Sequence, residues 1–404
     1  MFSRRTEWKL KPNRFTLAHQ EMRRAGRKIL DLTISNPTRA GIKYDEGAIL
    51  DSLRNPNSLD YDPQPKGMRG AREAVAEYYS WGSPHPSKGT KGGAAAPARE
   101  VDTESVVLTT STSEGYTYVF RLLCNPGDEI LVPKPSYPLF DFLADLQDVT
   151  LVPYTLIYDH GWQIDWPSLK QVASEKTRAV VVVHPNNPTG SYASIDERAE
   201  LNELCARHSL ALIVDEVFLD YAHDGQRRPS FASNDGALTF TLSGLSKLSA
   251  LPQMKLAWIV ASGPERDQQA AMERLEVIAD TYLSLNAPVQ LAAAAMLAQR
   301  EQIQPQLMHR VRENLAELDR QLLKQKSCAR LDVEGGWYAV LRVPVTRSDE
   351  DLTIELLRET AVLAHPGHFY DFPEDGYLVL SLITAPEQFH DGIARLLKYM
   401  AETG

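Results

Sequence analysis

Cysteine is scarce in this chain of 404 residues. Three cysteines, Cys124, Cys205 and Cys328, lie far apart, without a C-x-x-C pair or a metal-ligand spacing. This usage excludes a disulfide framework and a cysteine-based metal site, and it is typical of reduced thiols in the cytoplasm. We therefore expect a cytoplasmic protein that binds no metal.

Long hydrophobic runs and an excess of positive charge are also missing. No apolar run approaches the ~20 residues that a helix needs to cross a bilayer, and residues 1–10 lead into charged sequence rather than a signal-peptide core. Asp and Glu total 53 against 43 for Lys and Arg, a formal charge of −10. We expect no membrane and no nucleic acid as partners, while local basic pockets for small anions stay open.

Glycine-rich nucleotide motifs are a further absence. No Gly-x-Gly-x-x-Gly follows the first strand-like segments, and no Walker-type loop occurs. These absences argue against a nucleotide-binding α/β fold. The chain does have abundant apolar sequence, 43% of its residues, which is enough to bury a full core.

From residue 106 onward, strand-like and helix-like segments alternate. Strands are predicted at 106–108, 129–132, 150–152, 179–183, 211–214, 238–242 and 256–260. Several are continuous Val, Ile and Leu runs, which are typical of strands covered on both faces. Helical patterns between most of them predict an α/β protein with a mixed, mostly parallel sheet sandwiched by helices.

The flanking segments predict further elements. A short strand is expected at 29–34, a helix at 66–81, and long helices at 264–285, 288–300 and 301–326. The last of these helices would bridge to a second domain, where 336–343, the segment near Val362 and 377–382 could form a small sheet. Residues 82–98, rich in Gly, Pro, Ser, Ala and Lys, predict an exposed loop.

Polar residues follow several predicted strands, and ligands of open α/β sheets bind beyond the carboxyl ends of strands. These residues are 111–113, 135–137, 184–190, 215–216 and 246–247. Thr112 and Ser113 open a helical pattern, so their N–H and hydroxyl groups could bind a phosphate. An ordinary helix N-cap is the alternative reading of the same residues.

An acid and an amine stand at two of these strand ends. Asp215 ends a buried run, where a carboxylate is costly without a positive partner. Lys247 lies among small and apolar residues with no acid beside it in the sequence. A lysine in an apolar pocket has a lowered pKa and becomes a usable nucleophile or base. Taken singly, each residue could belong to a structural ion pair; together with a phosphate cradle, an aromatic ring and an amide, they could hold a phosphorylated, charged aromatic ring.

This set of residues resembles the pyridoxal-phosphate-dependent aminotransferases of fold type I, the class I/II family. The motifs that carry the resemblance are Tyr61 with Gly67, residues 125–129 before 132–133, residues 187–190, and Ser246 with Lys247. The resemblance covers nearly the whole chain, from 31 to 396. It implies a large cofactor-binding domain at 46–290, and a smaller α+β domain built from an N-terminal arm, 1–45, and the C-terminal residues 291–404.

The resemblance also implies the roles of the strand-end residues. Lys247 would form the internal Schiff base with pyridoxal phosphate and move the substrate's proton, and Asp215 would face the pyridinium nitrogen. The other expected cofactor contacts are Tyr137 on the ring, Asn187 at the ring oxygen, and Thr112, Ser113, Ser246 and Lys255 at the phosphate. Tyr61 would reach the phosphate of a neighbouring subunit, which implies a homodimer.

Three departures from the family pattern surround the cofactor. Lys255 stands where the family usually has an arginine, so the charge is kept but the bidentate fork is lost. Gly244 replaces a phosphate-binding serine, for which Ser243 and Ser246 could compensate. Phe218 replaces a tyrosine, which removes one hydrogen-bond donor to the ring oxygen and should shift the pH optimum.

The largest departure is Val379, at the position of the arginine that normally clamps the substrate carboxylate. Arg39 and Arg342 are the expected substitutes, each with a solvated surface arginine as the alternative. Ser35, where glycine is usual, and Asn36 are also expected beside the substrate. His365 and His368 resemble residues at the rim of the site.

Transfer of an amino group from an amino acid to a 2-oxo acid, by ping-pong kinetics, is the activity that the resemblance implies. An amino-acid decarboxylase or a carbon–sulfur lyase with the same cofactor is the alternative, motivated by Phe218 and Val379. A ligand-sensing domain of a transcription regulator is disfavoured by the acidic charge and by a pattern that begins near residue 30.

Overall fold

The computed structural model describes residues 1–80, 100–138 and 140–403, so the loop expected at 82–98 lies outside the described residues. The strands are β1 (Leu30–Asp31), β2 (Val106–Thr109), β3 (Glu129–Lys134), β4 (Thr150–Tyr158), β5 (Trp162–Ile164), β6 (Thr177–Val183), β7 (Ala211–Asp215), β8 (Thr239–Gly244), β9 (Ala257–Ser262), β10 (Ala329–Arg330), β11 (Tyr338–Arg342), β12 (Val362–Leu363), β13 (His365–Pro366) and β14 (Tyr377–Ser381).

The helices alternate with these strands through the middle of the chain. They are α1 (Arg14–Arg24), α2 (Glu46–Ser52), α3 (Arg69–Ser80), α4 (Thr112–Leu123), α5 (Phe140–Gln147), α6 (Trp166–Val172), α7 (Ile195–His208), α8 (Leu245–Leu248), α9 (Glu265–Tyr282), α10 (Ala287–Leu291), α11 (Ala293–Ala298), α12 (Arg300–Leu322), α13 (Asp349–Thr360) and α14 (Pro386–Thr403). Within the described ranges, none is long and apolar enough to span a membrane.

The large sheet has the strand order β2-β9-β8-β7-β6-β3-β4-β5 in the described part of the chain. Strands β8, β7, β6, β3 and β4 run parallel, whereas β9 is antiparallel to both of its neighbours. The central strands are buried along their length, as the continuous apolar runs predict. The α/β fold with a mixed, mostly parallel sheet is therefore confirmed.

The direction of the strands determines where the polar residues at their carboxyl ends lie. Because β2 and β8 are both antiparallel to β9, β2 points the same way as the five parallel strands. The carboxyl ends of β2, β3, β6, β7 and β8 therefore lie along one edge of the sheet. The polar groups at 111–113, 135–137, 184–190, 215–216 and 246–247 end or follow these strands.

The smaller sheet has the order β10-β11-β14-β13. The segment near Val362 divides: β13 joins this sheet beside β14, as expected, whereas β12 pairs in parallel with β1 instead. The N–H groups of Leu30 and Leu32 donate to the carbonyls of Ala361 and Leu363. The buried backbone polar groups of the short strand β1 need hydrogen-bond partners, and β12 provides them. This pairing connects the N-terminal segment to the C-terminal part of the chain.

The buried apolar residues form separate clusters around the small sheet and the large sheet. One cluster joins Leu30 and Leu32 to β11, β14, α12 and α14. Another joins α2 and α3 to β9 and to α11 as far as Leu297, so the packing of the large sheet continues past residue 290. The domain boundaries stay predictions, since packing alone does not define them.

Candidate functional site

The carboxyl edge of the large sheet brings together residues that are far apart in the sequence. Thr112 and Ser113 begin α4 after β2, Tyr137 follows β3, Asn187 follows β6, Asp215 ends β7, and Ser246 and Lys247 lie in α8 directly after β8. Parallel strands place these groups side by side. The sequence-predicted cofactor residues other than Tyr61 and Lys255 thus all follow ends on this edge.

Asp215 is a carboxyl held in place by two donors. The hydroxyl of Tyr116 donates to Oδ2 at 3.1 Å, and the N–H of Val217 donates to Oδ1 at 3.1 Å. Burial raises the pKa of Asp215 to about 6, while these hydrogen bonds and the charge of Lys247 act in the opposite direction. A cation facing this carboxyl would therefore be strongly favoured.

Lys247 presents an amine that no described side chain fixes as an ion pair. Its Nζ lies 5.0 Å from the ring centroid of Trp337 and 5.5 Å from that of Phe218. Its backbone carbonyl accepts a 2.7 Å hydrogen bond from Tyr221, which anchors the short helix α8. Burial lowers the pKa of Lys247 to about 8, although Asp215 acts to raise it. The apolar surroundings therefore make this amine more nucleophilic than an ordinary lysine.

The lowered pKa predicts a site-selective reactivity in cofactor-free protein. Reductive methylation with formaldehyde requires a neutral amine, so labelling of Lys247 should rise with pH with a midpoint near 8. At pH 8 the neutral fraction should exceed that of an ordinary lysine by roughly a hundredfold. Mass spectrometry of peptides between pH 6 and 10 measures this, with the exposed Lys324 as the control. A Lys247 profile that overlays that of Lys324 would contradict it.

The first turn of α4 offers backbone donors at the same edge. Ser111 caps the helix by accepting from the N–H of Glu114, so the N–H groups of Thr112 and Ser113 are left without intrahelical acceptors. Gly115 packs against β8, where an added Cβ would come within 2.8 Å of Leu242. The helix start is thus close to the sheet edge and suited to bind a phosphate.

The segment 187–190 supplies an amide and a close contact. The Oδ1 atom of Asn187 is buried without a hydrogen-bond partner among the described residues. Gly190 has φ +71°, and an added Cβ would lie 2.5 Å from the carbonyl oxygen of Gly335. The glycine is therefore required where this loop contacts the segment before β11. A buried, unsatisfied amide beside Asp215 and Lys247 fits a polar ligand, so the residues present fit the expected cofactor.

One of the departures from the family pattern, Gly244, has a structural explanation. An added Cβ at Gly244 would meet the Cβ of Ala257 at 2.8 Å, so a serine would displace β9. Ser243 donates to the carbonyl of Glu216 at 3.4 Å and is directed into the protein, which leaves Ser246 as the compensating hydroxyl. Lys255 is exposed, with φ 55°.

Sequence reasoning missed several aromatic residues of the site. Tyr338 begins β11, and its ring centroid lies 6.3 Å from that of Phe218. Its hydroxyl lies near Ser35 and Tyr137, and burial raises its pKa. Tyr116 could have been found from its position one helical turn after Thr112, whereas Tyr338 carries no local signal.

Only some of the residues expected to bind the substrate lie near these site residues. Ser35 lies beside Tyr338, and Asn36 caps the 3₁₀ helix Pro37–Arg39 by accepting from the N–H of Thr38. Arg39 is exposed at the end of that turn. Arg342 is also exposed and contacts the Tyr377 hydroxyl at 3.4 Å. It lies four residues along β11 from Tyr338, roughly 13 Å away.

Tyr61 lies outside this edge in the single chain. Its side chain is 84% exposed, and that of Leu59, two residues before it, is 92% exposed. The role of Tyr61 in a neighbouring site stays a prediction at this point.

Known proteins resemble this chain over its whole length. A family model for aminotransferase class I and II matches residues 49–387. The glutamate–pyruvate aminotransferase AlaA of Haemophilus influenzae is 27% identical over 384 residues, covering 93% of this chain and 92% of its own. An alanine aminotransferase of Mycobacterium tuberculosis is 28% identical over 378 residues, covering 89% and 82%.

Solved structures share the fold. The alanine aminotransferase from Pyrococcus furiosus superposes with a TM-score of 0.87 at 22% identity, covering 100% of both chains. The tyrosine aminotransferase from Leishmania infantum has a TM-score of 0.81 at 20% identity and covers 98% of this chain and 99% of its own. The family match spans well over half of the sequence. The chain therefore belongs to the aminotransferase class I and II family, whose members are pyridoxal-phosphate-dependent enzymes that transfer amino groups.

Proposed function

We propose that this enzyme moves the amino group of an amino acid to a 2-oxo acid by a ping-pong reaction, with Lys247 as the residue that holds the cofactor covalently. The observation that carries the proposal is the Lys247 amine, which has a lowered pKa and lies at the same sheet edge as Asp215. The names of the relatives suggest alanine, glutamate and pyruvate as the first substrates to test.

The residues at the sheet edge would bind pyridoxal phosphate at three points. The N–H groups at the start of α4 would bind the phosphate, together with Ser246 and Lys255. The Nδ2 amide group of Asn187 would donate a hydrogen bond to the ring oxygen, and Tyr137 would stack on the ring. When bound, the cofactor supplies an electron sink for the carbanion that forms at the substrate α-carbon.

Two side chains would control the protons of the reaction. Lys247 has a pKa near the working pH, which suits a general base that removes and returns the α-proton. Asp215 would keep its charge when a protonated ring nitrogen faces it, because an opposite charge lowers a carboxyl pKa. Tyr116 and the Val217 N–H hold that carboxylate in one orientation.

Half-reaction spectroscopy tests the proposed function directly. Purified enzyme saturated with pyridoxal phosphate is mixed with alanine, with glutamate and then with a wider panel of amino donors. The absorbance of the bound cofactor should shift to that of its amine form, and pyruvate or 2-oxoglutarate should reverse the shift. No shift with any donor would count against aminotransfer. Release of carbon dioxide, or of ammonia without an acceptor, would support the lyase alternative that Phe218 and Val379 motivate.

Asn187→Ala should weaken cofactor binding without weakening the fold. Because its Oδ1 has no partner among the described residues, the cofactor-free protein loses no hydrogen bond there. The cofactor would lose one, and we expect its Kd to rise about tenfold, or ~1.4 kcal/mol. Fluorescence titration and thermal unfolding of the cofactor-free protein measure the two effects.

Asn186→Ala is the matched control for that change. Its amide nitrogen donates to the carbonyl of Pro135 and to Thr189, and its oxygen accepts from Ser136. Removing three buried hydrogen bonds should lower the melting temperature instead. If Asn187→Ala destabilises the cofactor-free protein as much as Asn186→Ala, the proposed role of Asn187 is wrong.

A homodimer with Tyr61 in the neighbouring active site is the second part of the proposal. The support is the strong exposure of Leu59 and Tyr61 in the single chain, since exposed apolar side chains side by side mark interfaces. The cytoplasmic location likewise stays a prediction; all three cysteines are free thiols.

Subunit complementation tests the shared site. Tyr61→Ala and Lys247→Ala chains should each have little activity alone. Unfolding and refolding them together should restore roughly a quarter of the wild-type activity, because half of the dimers are mixed and each has one intact site. Mixtures that stay as inactive as the separate variants would exclude a site completed by the partner.

A further inference from the structure

The face of the small sheet that carries Val379 has one described cation on β11 and β14, Arg342, at the end where it pairs with Tyr377. Val379 is 1% exposed and pairs with Val340 on one side and with His365 on the other, while Ser381 pairs with Tyr338. Directly opposed residues of paired strands present their side chains on the same face. The neutral face is our name for the side chains of Val379, Val340, His365, Ser381 and Tyr338.

Contacts at one end of the neutral face connect it to the active site. The Ser381 hydroxyl donates to the carbonyl of Ile34, which precedes Ser35. The Tyr338 hydroxyl lies near Ser35 and Tyr137. The Tyr338 ring also contacts Phe218, whose ring lies beside the Lys247 amine. The neutral face therefore borders the space in which the substrate must lie.

Two tyrosine hydroxyl groups lie on or beside the neutral face. The ring centroids of Tyr338 and Tyr370 are 6.4 Å apart, and the Tyr370 hydroxyl lies 3.1 Å from Nδ1 of His365. Burial raises the pKa of both tyrosines and lowers that of His365 to about 4. All three side chains are therefore uncharged near pH 7, and the tyrosines stay hydrogen-bond donors.

Cations on the neighbouring segments are engaged elsewhere or exposed. Lys134 forms a 3.2 Å ion pair with Asp371. Arg342 contacts Tyr377 at the far end of β11. Arg39 is exposed on the surface of the chain. Arg39 and Arg342 are the two of these that could compete with the neutral face for a substrate carboxylate.

We propose that the neutral face, with the Tyr370 hydroxyl, receives the α-substituent of the amino donor through uncharged hydrogen-bond donors. This inference rests on the proposed function and extends it to a substrate class: amino donors in which the α-carboxylate is replaced by a neutral polar group, such as an α-carboxamide. A guanidinium clamp discriminates against such donors, because it leaves a desolvated cation unpaired. A hydroxyl group can donate a hydrogen bond to an amide oxygen as well as to a carboxylate oxygen.

Paired donors test the proposal in the half-reaction of the intact enzyme. The rates of L-alanine and L-alaninamide are compared, and likewise those of L-glutamate and its α-amide. We expect kcat/KM for acid and amide to lie within about tenfold of each other. A preference of about a hundredfold or more for the free acid, the loss expected when a buried charge pair is broken, would overturn the proposal. Reaction with no donor at all would contradict the proposed function instead.

Single variants identify the groups responsible. Tyr338→Phe and Tyr370→Phe should each lower kcat/KM about tenfold for acid and amide alike, while the cofactor Kd stays unchanged. Tyr399→Phe in α14, which removes a hydroxyl that donates to Glu355 in α13, is the matched control. If Arg39→Ala or Arg342→Ala depresses the acid rate alone and both tyrosine variants react as wild type, a cation binds the carboxylate and the proposal is wrong.

Discussion

The half-reaction rate of the Lys247→Ala enzyme is expected to fall by at least about 10³-fold. This factor lies in the upper range for removal of a positioned general base. The variant should also fail to retain cofactor after borohydride treatment, since its covalent attachment point is gone. The physical reason lies in the surroundings of the amine. Aromatic rings at 5.0 and 5.5 Å exclude water without offering an anion, so the lysine is kept as a reactive base.

Stopped-flow absorbance and peptide mapping of borohydride-reduced protein measure the two effects. Lys324→Ala, at an exposed lysine, should behave as wild type in both. Cofactor label on another residue, or a Lys247→Ala enzyme within about tenfold of wild type, would contradict the assigned role. Either result would leave the fold and the family unchanged.

Asp215→Asn should lower the half-reaction rate about 150-fold or more. Breaking a buried charge pair costs about 3 kcal/mol or more, which is roughly that factor in rate. An asparagine cannot keep the ring nitrogen protonated, so the electron sink is weakened. Asp215→Glu retains the charge and should recover part of the rate. Removing the carboxylate should also lower the pKa of Lys247 further, because Asp215 is the group that raises it.

Glu216 is the internal control for that experiment. It is the next residue in the chain and is 1% exposed, but its oxygens accept from the Ser230 hydroxyl and from the N–H of Phe231. Glu216→Gln leaves the Phe231 N–H or the Ser230 hydroxyl poorly satisfied, which costs about 1–3 kcal/mol of stability. Its half-reaction rate should stay near wild type. Equal losses of rate in both variants would mean that Asp215 acts only through the fold.

Much of the site was predictable because its signals are local. Strand ends are recognised from continuous apolar runs, and the polar residues that follow them are read directly from the sequence. Asp215 and Lys247 are examples, since each terminates or follows a buried strand. The carboxyl ends of parallel strands lie at the same edge of a sheet. The proximity of these residues could therefore be predicted without knowing any side-chain contact.

Other features had no local signal. The hydrogen bond from Tyr116 to Asp215 joins residues 99 apart, and the bond from Ser381 to Ile34 joins residues 347 apart. The pairing of β12 with β1 was not predicted for the same reason, because two-residue strands carry too little pattern to indicate their partner.

The sequence by itself determined the order of strands and helices and the polar strand ends, and the resemblance of these residues to a known family implied the cofactor class. It also showed that Val379 replaces an arginine. Only the tertiary structure decided what surrounds that valine, by placing Tyr338, Tyr370 and His365 around one end of the site. The tendency of a segment to form a helix or a strand depends on its neighbours in the chain. A binding surface depends instead on which distant strands pair, and that pairing is determined by burial of the whole core.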